Sequence, residues 1–183
     1  MLKFIVEVTL QPDDNFRIAE QELMKDYGYS GTWGRIKVRL RFLKSWIFHY
    51  FAYSSPIPNF SISMQRVRGV KIGKQCHMSP YVLIDLLYPH LVTIGDNVSI
   101  GSNVMIFAHS NMSANNHLHK IYPRKVGNVT IKSGAMIMPG TIITNNVTIG
   151  KNSVTAVGSV VASDVPDNCV VVGNPARVVK KIS

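Results

Sequence analysis

The sequence predicts an all-β fold for most of the chain, a parallel β-helix of six-residue repeats, preceded by a small N-terminal extension of mixed helix and strand. From Ile72 onward the sequence changes character, and an isoleucine recurs every six positions over 94–106 and again over 131–149. The chain of 183 residues is 46% hydrophobic and only 16% charged, a composition that favours a packed core over disorder. Two cysteines without CxxC spacing indicate neither a disulfide framework nor a thiolate metal site.

The six-residue period fits neither the 3.6-residue period of a helix nor the two-residue period of a lone strand. It fits short strands joined by tight turns, with three hexads in each triangular coil of 18 residues. Regular coils are expected over 94–111, 131–148 and 149–166, and an earlier coil with four extra residues over 72–93. The first hexad position is filled by Ile94, Ile100, Ile106, Ile131, Ile137, Ile143, Ile149, Thr155 and Val161.

Before the repeats, residues 1–65 are predicted to form an α/β extension and linker. Alternating apolar residues over 4–10 predict a strand, and residues 16–27 predict a short helix that is broken by residues 28–34. Residues 35–53 have helical spacing, and Pro56 and Pro58 mark a linker over 54–63. The β-helix domain is expected over 66–183, with an extruded loop at 112–129 and a C-terminal tail at 167–183.

Positive charge is concentrated early in the chain. The formal net charge is +10, and no acidic residue lies between Asp26 and Asp85. Such a basic segment could bind an anionic membrane, nucleic acid or a phosphate-bearing ligand, or it could form a solvated face. Nucleic acid is not expected as a partner, because no nucleic-acid-binding motif accompanies the charge. The helix over 35–53 is expected either to cover the open end of the coil or to lie on a membrane.

No segment reaches the roughly 20 apolar residues of a spanning helix, and no secretory cleavage pattern follows the first apolar stretch. A cytoplasmic protein is therefore expected, with membrane association through residues 35–53 as an added option.

The candidate catalytic residue is His109, at an outward fourth hexad position directly before the loop. Imidazoles titrate near neutrality and serve as general bases. Asp85 in the preceding coil is expected on the same face. It has two interpretations, a carboxylate that orients the histidine or a turn residue that bonds its own backbone. Insertions in repeat folds carry binding residues, so His117, His119 and Tyr122 are candidates for substrate binding.

Three blocks carry a resemblance to a known family. They are GNVTIKSGAMIMPGTII at 127–143, IGKNSVTAVGSVVASDVP at 149–166 and GNPAR at 173–177. About residues 66–182 resemble the left-handed β-helix hexapeptide-repeat acyltransferases, and most of all the sugar O-acetyltransferases. Val157 and the pair Thr155-Ala156 depart from the family's usual pattern.

The resemblance implies a left-handed coil, a homotrimer with active sites between subunits, acetyl-CoA as co-substrate and no metal. By motif position His109 matches the family's catalytic base. The positions matching the family's CoA-binding residues are Ser133, Val157, Ser163, Arg177, Lys180 and Lys181. The expected reaction is transfer of an acetyl group to a hydroxyl of a sugar or polysaccharide precursor, without a covalent enzyme intermediate.

Alternatives to this function stay open at the level of sequence. One is an N-acyltransferase acting on an amino sugar. Another is a zinc protein like the β-helical carbonic anhydrases, because five histidines offer imidazole ligands: His77, His90, His109, His117 and His119. A third is a non-catalytic trimeric scaffold.

Overall fold

The computed structural model describes residues 14–110 and 116–182. The chain forms two compact units. One contains Met1–Leu43 and Met112–Pro123, and the other contains Lys44–Asn111 and Arg124–Ser183. The strand predicted over 4–10 lies outside the described residues.

The described helices are α1 (Asp14–Asp26), α2 (Gly31–Ser54), α3 (Pro58–Arg68), a 3₁₀ turn at Pro89–Leu91, and α4 (Asn116–Ile121). Helices α1 and α2 confirm the two predicted helical segments. The predicted break over 28–34 was too long, because residues 27–30 alone separate the helices and α2 begins at Gly31. None of the helices in these described ranges is long and apolar enough to cross a membrane.

The linker predicted over 54–63 was wrong, because most of it belongs to α3. Proline is favourable in the first turn of a helix, where its missing N–H costs no hydrogen bond, and Pro58 begins α3. The helix ends at Arg68 and is capped by Gly69, whose φ of 110° is left-handed and whose N–H points back to the carbonyls of Gln65 and Arg66. These two signals were present in the sequence.

The strands of the described residues form three sheets, one on each side of a triangular coil. The first sheet contains β1 (Lys71–Ile72), β4 (Val92–Ile94), β7 (Val129–Ile131) and β10 (Val147–Ile149). The second contains β2 (His77–Met78), β5 (Ser99–Ile100), β8 (Met136–Ile137), β11 (Val154–Thr155), β13 (Cys169–Gly173) and β14 (Ala176–Lys181). The third contains β3 (Leu83–Ile84), β6 (Met105–Ile106), β9 (Ile142–Ile143) and β12 (Val160–Val161).

The strand register confirms the coil lengths that the repeat predicted. Val129 pairs with Val147, 18 positions later, whereas Lys71 pairs with Thr93, 22 positions later, because the first coil has four extra residues. Val92 pairs with Val129, 37 positions later, so the chain between these strands contains one coil and an insertion. The insertion predicted over 112–129 ends earlier, because Val129 already belongs to β7; residues 111–115 lie outside the described residues.

The interior of the coil is a stack of aliphatic side chains. The isoleucines at the first hexad position, from Ile94 to Ile149, are at most 2% exposed. Asparagine occupies left-handed turn positions, as at Asn97 (φ 56°) and Asn152 (φ 54°), where most side chains would be strained. Each added coil therefore extends both the hydrogen-bond ladders and the apolar stack.

Within the second unit, the end of α2 and helix α3 cover the first coil, whose strands β1, β2 and β3 are the outermost members of their sheets. Ser45 Oγ donates to the Leu86 carbonyl (2.7 Å), and Tyr81 N–H donates to the Tyr53 carbonyl (2.7 Å). Arg66 donates to the Gly73 carbonyl (2.6 Å). At the other end of the stack, β14 returns antiparallel to β13.

Replacing a stacked isoleucine tests this core. We expect Ile137→Ala to lower the free energy of unfolding by about 2–5 kcal/mol, because it leaves a cavity between coils. Met136→Ala, at a neighbouring side chain that is 45% exposed, is the matched control and should cost much less. Denaturant unfolding measures both values, and equal losses would contradict the described interior.

Candidate active site

His109 lies where the chain leaves and re-enters the coil. Its backbone forms an antiparallel bridge with Val126, the Ser110 N–H donates to the Lys125 carbonyl (2.8 Å), and the Gly127 N–H donates to the Ala108 carbonyl (2.9 Å). The two ends of the insertion are thus hydrogen-bonded to each other beside this histidine. The arrangement fixes the backbone of His109 although the regular repeat stops there.

Asp85 holds the His109 ring. Its Oδ2 lies 2.6 Å from His109 Nδ1 and 2.8 Å from the Ala108 nitrogen, and its Oδ1 accepts from the N–H groups of Leu87 and Tyr88, each at 2.9 Å. The contacts that each of the two interpretations of Asp85 requires are therefore both present. One oxygen closes a local turn, while the other orients a histidine on the next coil.

The carboxyl of Asp85 is ionised at neutral pH although it is only 1% exposed. Burial pushes its pKa up, but the hydrogen bond and charge of His109, together with the N–H groups of Tyr88 and Ala108, hold the pKa below its ordinary value. Because a carboxylate only accepts hydrogen bonds, His109 Nδ1 carries the proton in this pair. In the neutral ring, Nε2 is then the basic nitrogen.

The surroundings of Nε2 suit a proton acceptor. The His109 side chain is 13% exposed, and no residue of 14–110 or 116–182 forms a hydrogen bond to Nε2. The Tyr88 ring lies 5.4 Å from the imidazole centroid, and the Arg124 guanidinium lies 5.5 Å from the Tyr88 ring centroid. The site therefore combines an oriented base, an adjacent aromatic ring and a nearby cation.

A buried polar cluster lies on the other side of Asp85, centred on Arg68. Arg68 is 7% exposed, so it does not belong to the basic surface expected from the sequence. Its five N–H donors are directed at Ser45 Oγ (3.1 Å), His49 Nδ1 (3.1 Å), Gln65 Oε1, the Ile84 carbonyl (3.0 Å) and the Asp85 carbonyl (2.6 Å).

The two titratable groups of this cluster are shifted in ways that agree with these contacts. Burial lowers the pKa of Arg68 to about 10 while the charge of Asp85 opposes the shift, so the guanidinium stays protonated at neutral pH. Burial and the Arg68 charge lower the pKa of His49 to about 4. His49 is therefore neutral, and its Nδ1 accepts from Arg68. No local motif in the sequence distinguishes Arg68 or His49 from their neighbours.

The residues that the resemblance assigned to the CoA site lie on different edges of the coil. Ser133 follows β7, between the first and second sheets, and its Oγ accepts from the Asp96 N–H (3.1 Å). Val157, 66% exposed, lies between the second and third sheets. Ser163 follows β12 and shares the His109 edge, between the third and first sheets. Their roles stay predictions.

The remaining predicted residues occupy two other places. Arg177, Lys180 and Lys181 are exposed together on β14. His117 and Tyr122 are exposed in the unit that contains α4, and the side chain of His119 lies outside the description. Within the described ranges, no group of three or more His, Cys, Asp or Glu side chains is arranged to hold a metal ion.

The chain is similar to known acetyltransferases, although no protein-family profile matches it. Galactoside O-acetyltransferase of Escherichia coli (strain K12) is 40% identical over 100 residues, which are 51% of this chain and 46% of that protein. A maltose O-acetyltransferase from Clostridium difficile 630 has a similar structure, with a TM-score of 0.61 and 28% identity over 81% of this chain and 88% of that chain.

A further structural likeness concerns the fold. A hexapeptide-repeat-containing acetyltransferase from Vibrio cholerae, solved with acetyl coenzyme A, has a TM-score of 0.69 at 22% identity, over 85% of this chain and 93% of that chain. The matched segment spans about half the length of the curated relatives, 46% of the galactoside enzyme and 59% of another bacterial relative. The chain is thus similar in sequence and in fold to hexapeptide-repeat acetyltransferases, and these likenesses support its assignment to that family.

Proposed function

We propose that the chain is an acetyl-CoA-dependent O-acetyltransferase that acetylates a hydroxyl of a sugar or polysaccharide precursor, with His109 as general base. The proposal rests on the Asp85–His109 pair at the edge between the third and first sheets. A buried, ionised Asp85 binds His109 Nδ1 at 2.6 Å, and Nε2 has no hydrogen-bond partner among residues 14–110 and 116–182. A base oriented by a carboxylate suits proton removal from an acceptor hydroxyl.

In the proposed reaction, His109 Nε2 takes the proton of the acceptor hydroxyl as its oxygen attacks the thioester carbonyl carbon. The new C–O bond forms, and the C–S bond then breaks with its electron pair going to sulfur. The imidazolium returns the proton to the departing thiolate, so free CoA and the acetyl ester are released. Asp85 favours the imidazolium that forms between these steps, because its carboxylate stays charged.

Acetyl-CoA is the proposed donor. A neighbour of the same fold was solved with acetyl coenzyme A, and β14 exposes Arg177, Lys180 and Lys181, which suit the phosphates of such a ligand. The sugar acceptor rests on the galactoside and maltose O-acetyltransferases among the similar proteins. His117, His119 and Tyr122 are proposed acceptor contacts from the insertion.

A homotrimer of left-handed coils is the proposed assembly. Ser133, Val157 and Ser163 lie on three different edges of the coil, so a single coil does not line them along one groove. A groove between neighbouring subunits would bring different edges together. In this assembly, Ser133 would approach the thioester oxygen from a neighbouring subunit rather than from the chain that provides His109.

Removing the base tests the function. We expect His109→Ala to lower kcat roughly 10²- to 10⁴-fold, the usual contribution of one general base. Release of CoA thiol is measured with acetyl-CoA and a panel of galactosides, glucosides and amino sugars. Donor binding should persist in the variant, as a rise in Tm with acetyl-CoA.

His77→Ala is the matched control, because His77 is an exposed histidine on another side of the coil, in β2. We expect it to retain wild-type kcat. Unchanged turnover in His109→Ala would contradict the assignment of the base. If product forms only on the amino group of an amino sugar, the proposed O-acetylation is wrong and the enzyme is an N-acetyltransferase.

We also propose that α2 rests on an anionic membrane surface, in a cytoplasmic protein with a lipid-linked or membrane-proximal acceptor. Its exposed side chains combine basic residues with large apolar ones, among them Trp33 at 76% exposed, Leu40 at 59% and Tyr50 at 62%, and the helix contains no acidic residue. Part of its charge is neutralised, because Arg39 pairs with Glu20 at 2.6 Å. The complementary charge of anionic lipid favours this occupant over a second copy of a chain whose formal charge is +10.

Vesicle flotation tests the membrane contact. We expect the protein to float with vesicles of phosphatidylcholine and phosphatidylglycerol and to remain unbound with phosphatidylcholine alone. Leu40→Ser should reduce the bound fraction several-fold, whereas Val179→Ser, an exposed apolar residue on β14, should leave it unchanged. Failure of the wild-type protein to float with anionic vesicles at low salt would contradict the proposed membrane contact of α2.

A further inference from the structure

Arg68 is a buried cation whose hydrogen-bond partners are all uncharged. The five acceptors are a serine hydroxyl, a neutral imidazole, a glutamine amide and two backbone carbonyls. Removing a charge from water without an ion-paired partner is costly, although complete hydrogen bonding offsets much of the cost. Its place at the last residue of α3 also helps, because the C-terminal end of a helix favours positive charge.

The guanidinium is bonded to the backbone that carries Asp85. One terminal nitrogen, Nη2, donates both to the Ile84 carbonyl (3.0 Å) and to the Asp85 carbonyl (2.6 Å). These two residues mark the end of β3, where the chain turns into the four extra residues of the first coil. The two hydrogen bonds from Arg68 Nη2 therefore determine the position of the Asp85 backbone.

The Asp85 side chain continues the connection to the next coil. Its carboxylate binds His109 Nδ1 at 2.6 Å, so only one residue separates the guanidinium from the imidazole. The full positive charge of Arg68 also acts on the Asp85 carboxylate through the protein interior. Both effects act on the group that determines which nitrogen of His109 is protonated.

We propose that Arg68 is a positioning residue for the active site, acting through Asp85 on the orientation and tautomer of His109. The kinetic consequences of this proposal depend on the assignment of His109 as general base. Its structural consequences depend only on hydrogen bonds within the second unit.

The coil provides a matched control for Arg68. Arg66 also lies on α3 and donates to two carbonyls of the first coil, those of Ile72 (3.0 Å) and Gly73 (2.6 Å). Arg66 is exposed, and its bonds do not involve Asp85 or His109. Comparing Arg68→Lys with Arg66→Lys therefore separates positioning of the site from attachment of the helix.

Steady-state kinetics form the first measurement. Lysine keeps the charge but has a single ammonium in place of the planar fork, so it cannot hold both carbonyls in the same way. We expect Arg68→Lys to lower kcat about 10-fold and Arg68→Met about 10²-fold, as for a displacement of roughly 1 Å at a catalytic group. KM for acetyl-CoA should stay within about two-fold, and Arg66→Lys should match the wild type.

The tautomer of His109 is the second measurement and needs no turnover. In ¹⁵N-labelled protein, with the His109 signals assigned by comparison with His109→Ala, the wild type should show neutral imidazole protonated at Nδ1. Arg68→Lys should show a mixture of tautomers, and Arg66→Lys should not. Arg68→Lys is the decisive variant if Arg68→Met does not fold.

The outcomes separate the two proposals. An unchanged tautomer in Arg68→Lys overturns the positioning role, even if kcat falls, because a purely structural role would then explain the loss. An altered tautomer supports that role even if His109→Ala proves fully active, in which case the assignment of His109 as base fails alone. Wild-type kcat and tautomer in Arg68→Lys overturn it outright.

Discussion

The stacking register of the coils is the constraint on which the rest of the structure depends. Parallel strand pairs place residues 18, 22 or 37 positions apart side by side, and the buried isoleucines keep this register, because a slip by one residue would move the apolar side chains out of the interior. Asp85 can meet His109 only because their coils are neighbours. The site is thus a consequence of the register, together with two local departures from it.

Those departures are the four extra residues of the first coil and the insertion after His109. The extra residues let Asp85 close a turn with one oxygen and reach the next coil with the other. The ends of the insertion are hydrogen-bonded at 108–110 and 125–127, which keeps His109 in place where the repeat is interrupted.

Much of the fold was predictable because a repeat is local information. The spacing of Ile94, Ile100 and Ile106 predicted the coil, and the pairing of Val129 with Val147 confirmed a coil length of 18 residues. Helix α3 was missed because Pro56 and Pro58 suggested a linker, although a proline in the first turn and a glycine after the last are compatible with a helix. The break before α2 was also predicted too long. It was placed over 28–34, between two glycines, although α2 already begins at Gly31.

The sequence by itself determined the coil, its outward histidine and the place where the repeat is interrupted, since periodicity and spacing depend only on neighbours along the chain. Tertiary structure decided what surrounds that histidine. In sequence, Arg68 belongs to a run of basic residues, and only the packing of α2 and α3 on the first coil buries it against the Asp85 backbone. The distribution of Ser133, Val157 and Ser163 over three edges likewise follows from the triangular path of the chain. Contacts between distant segments depend on how elements pack, which no local pattern encodes.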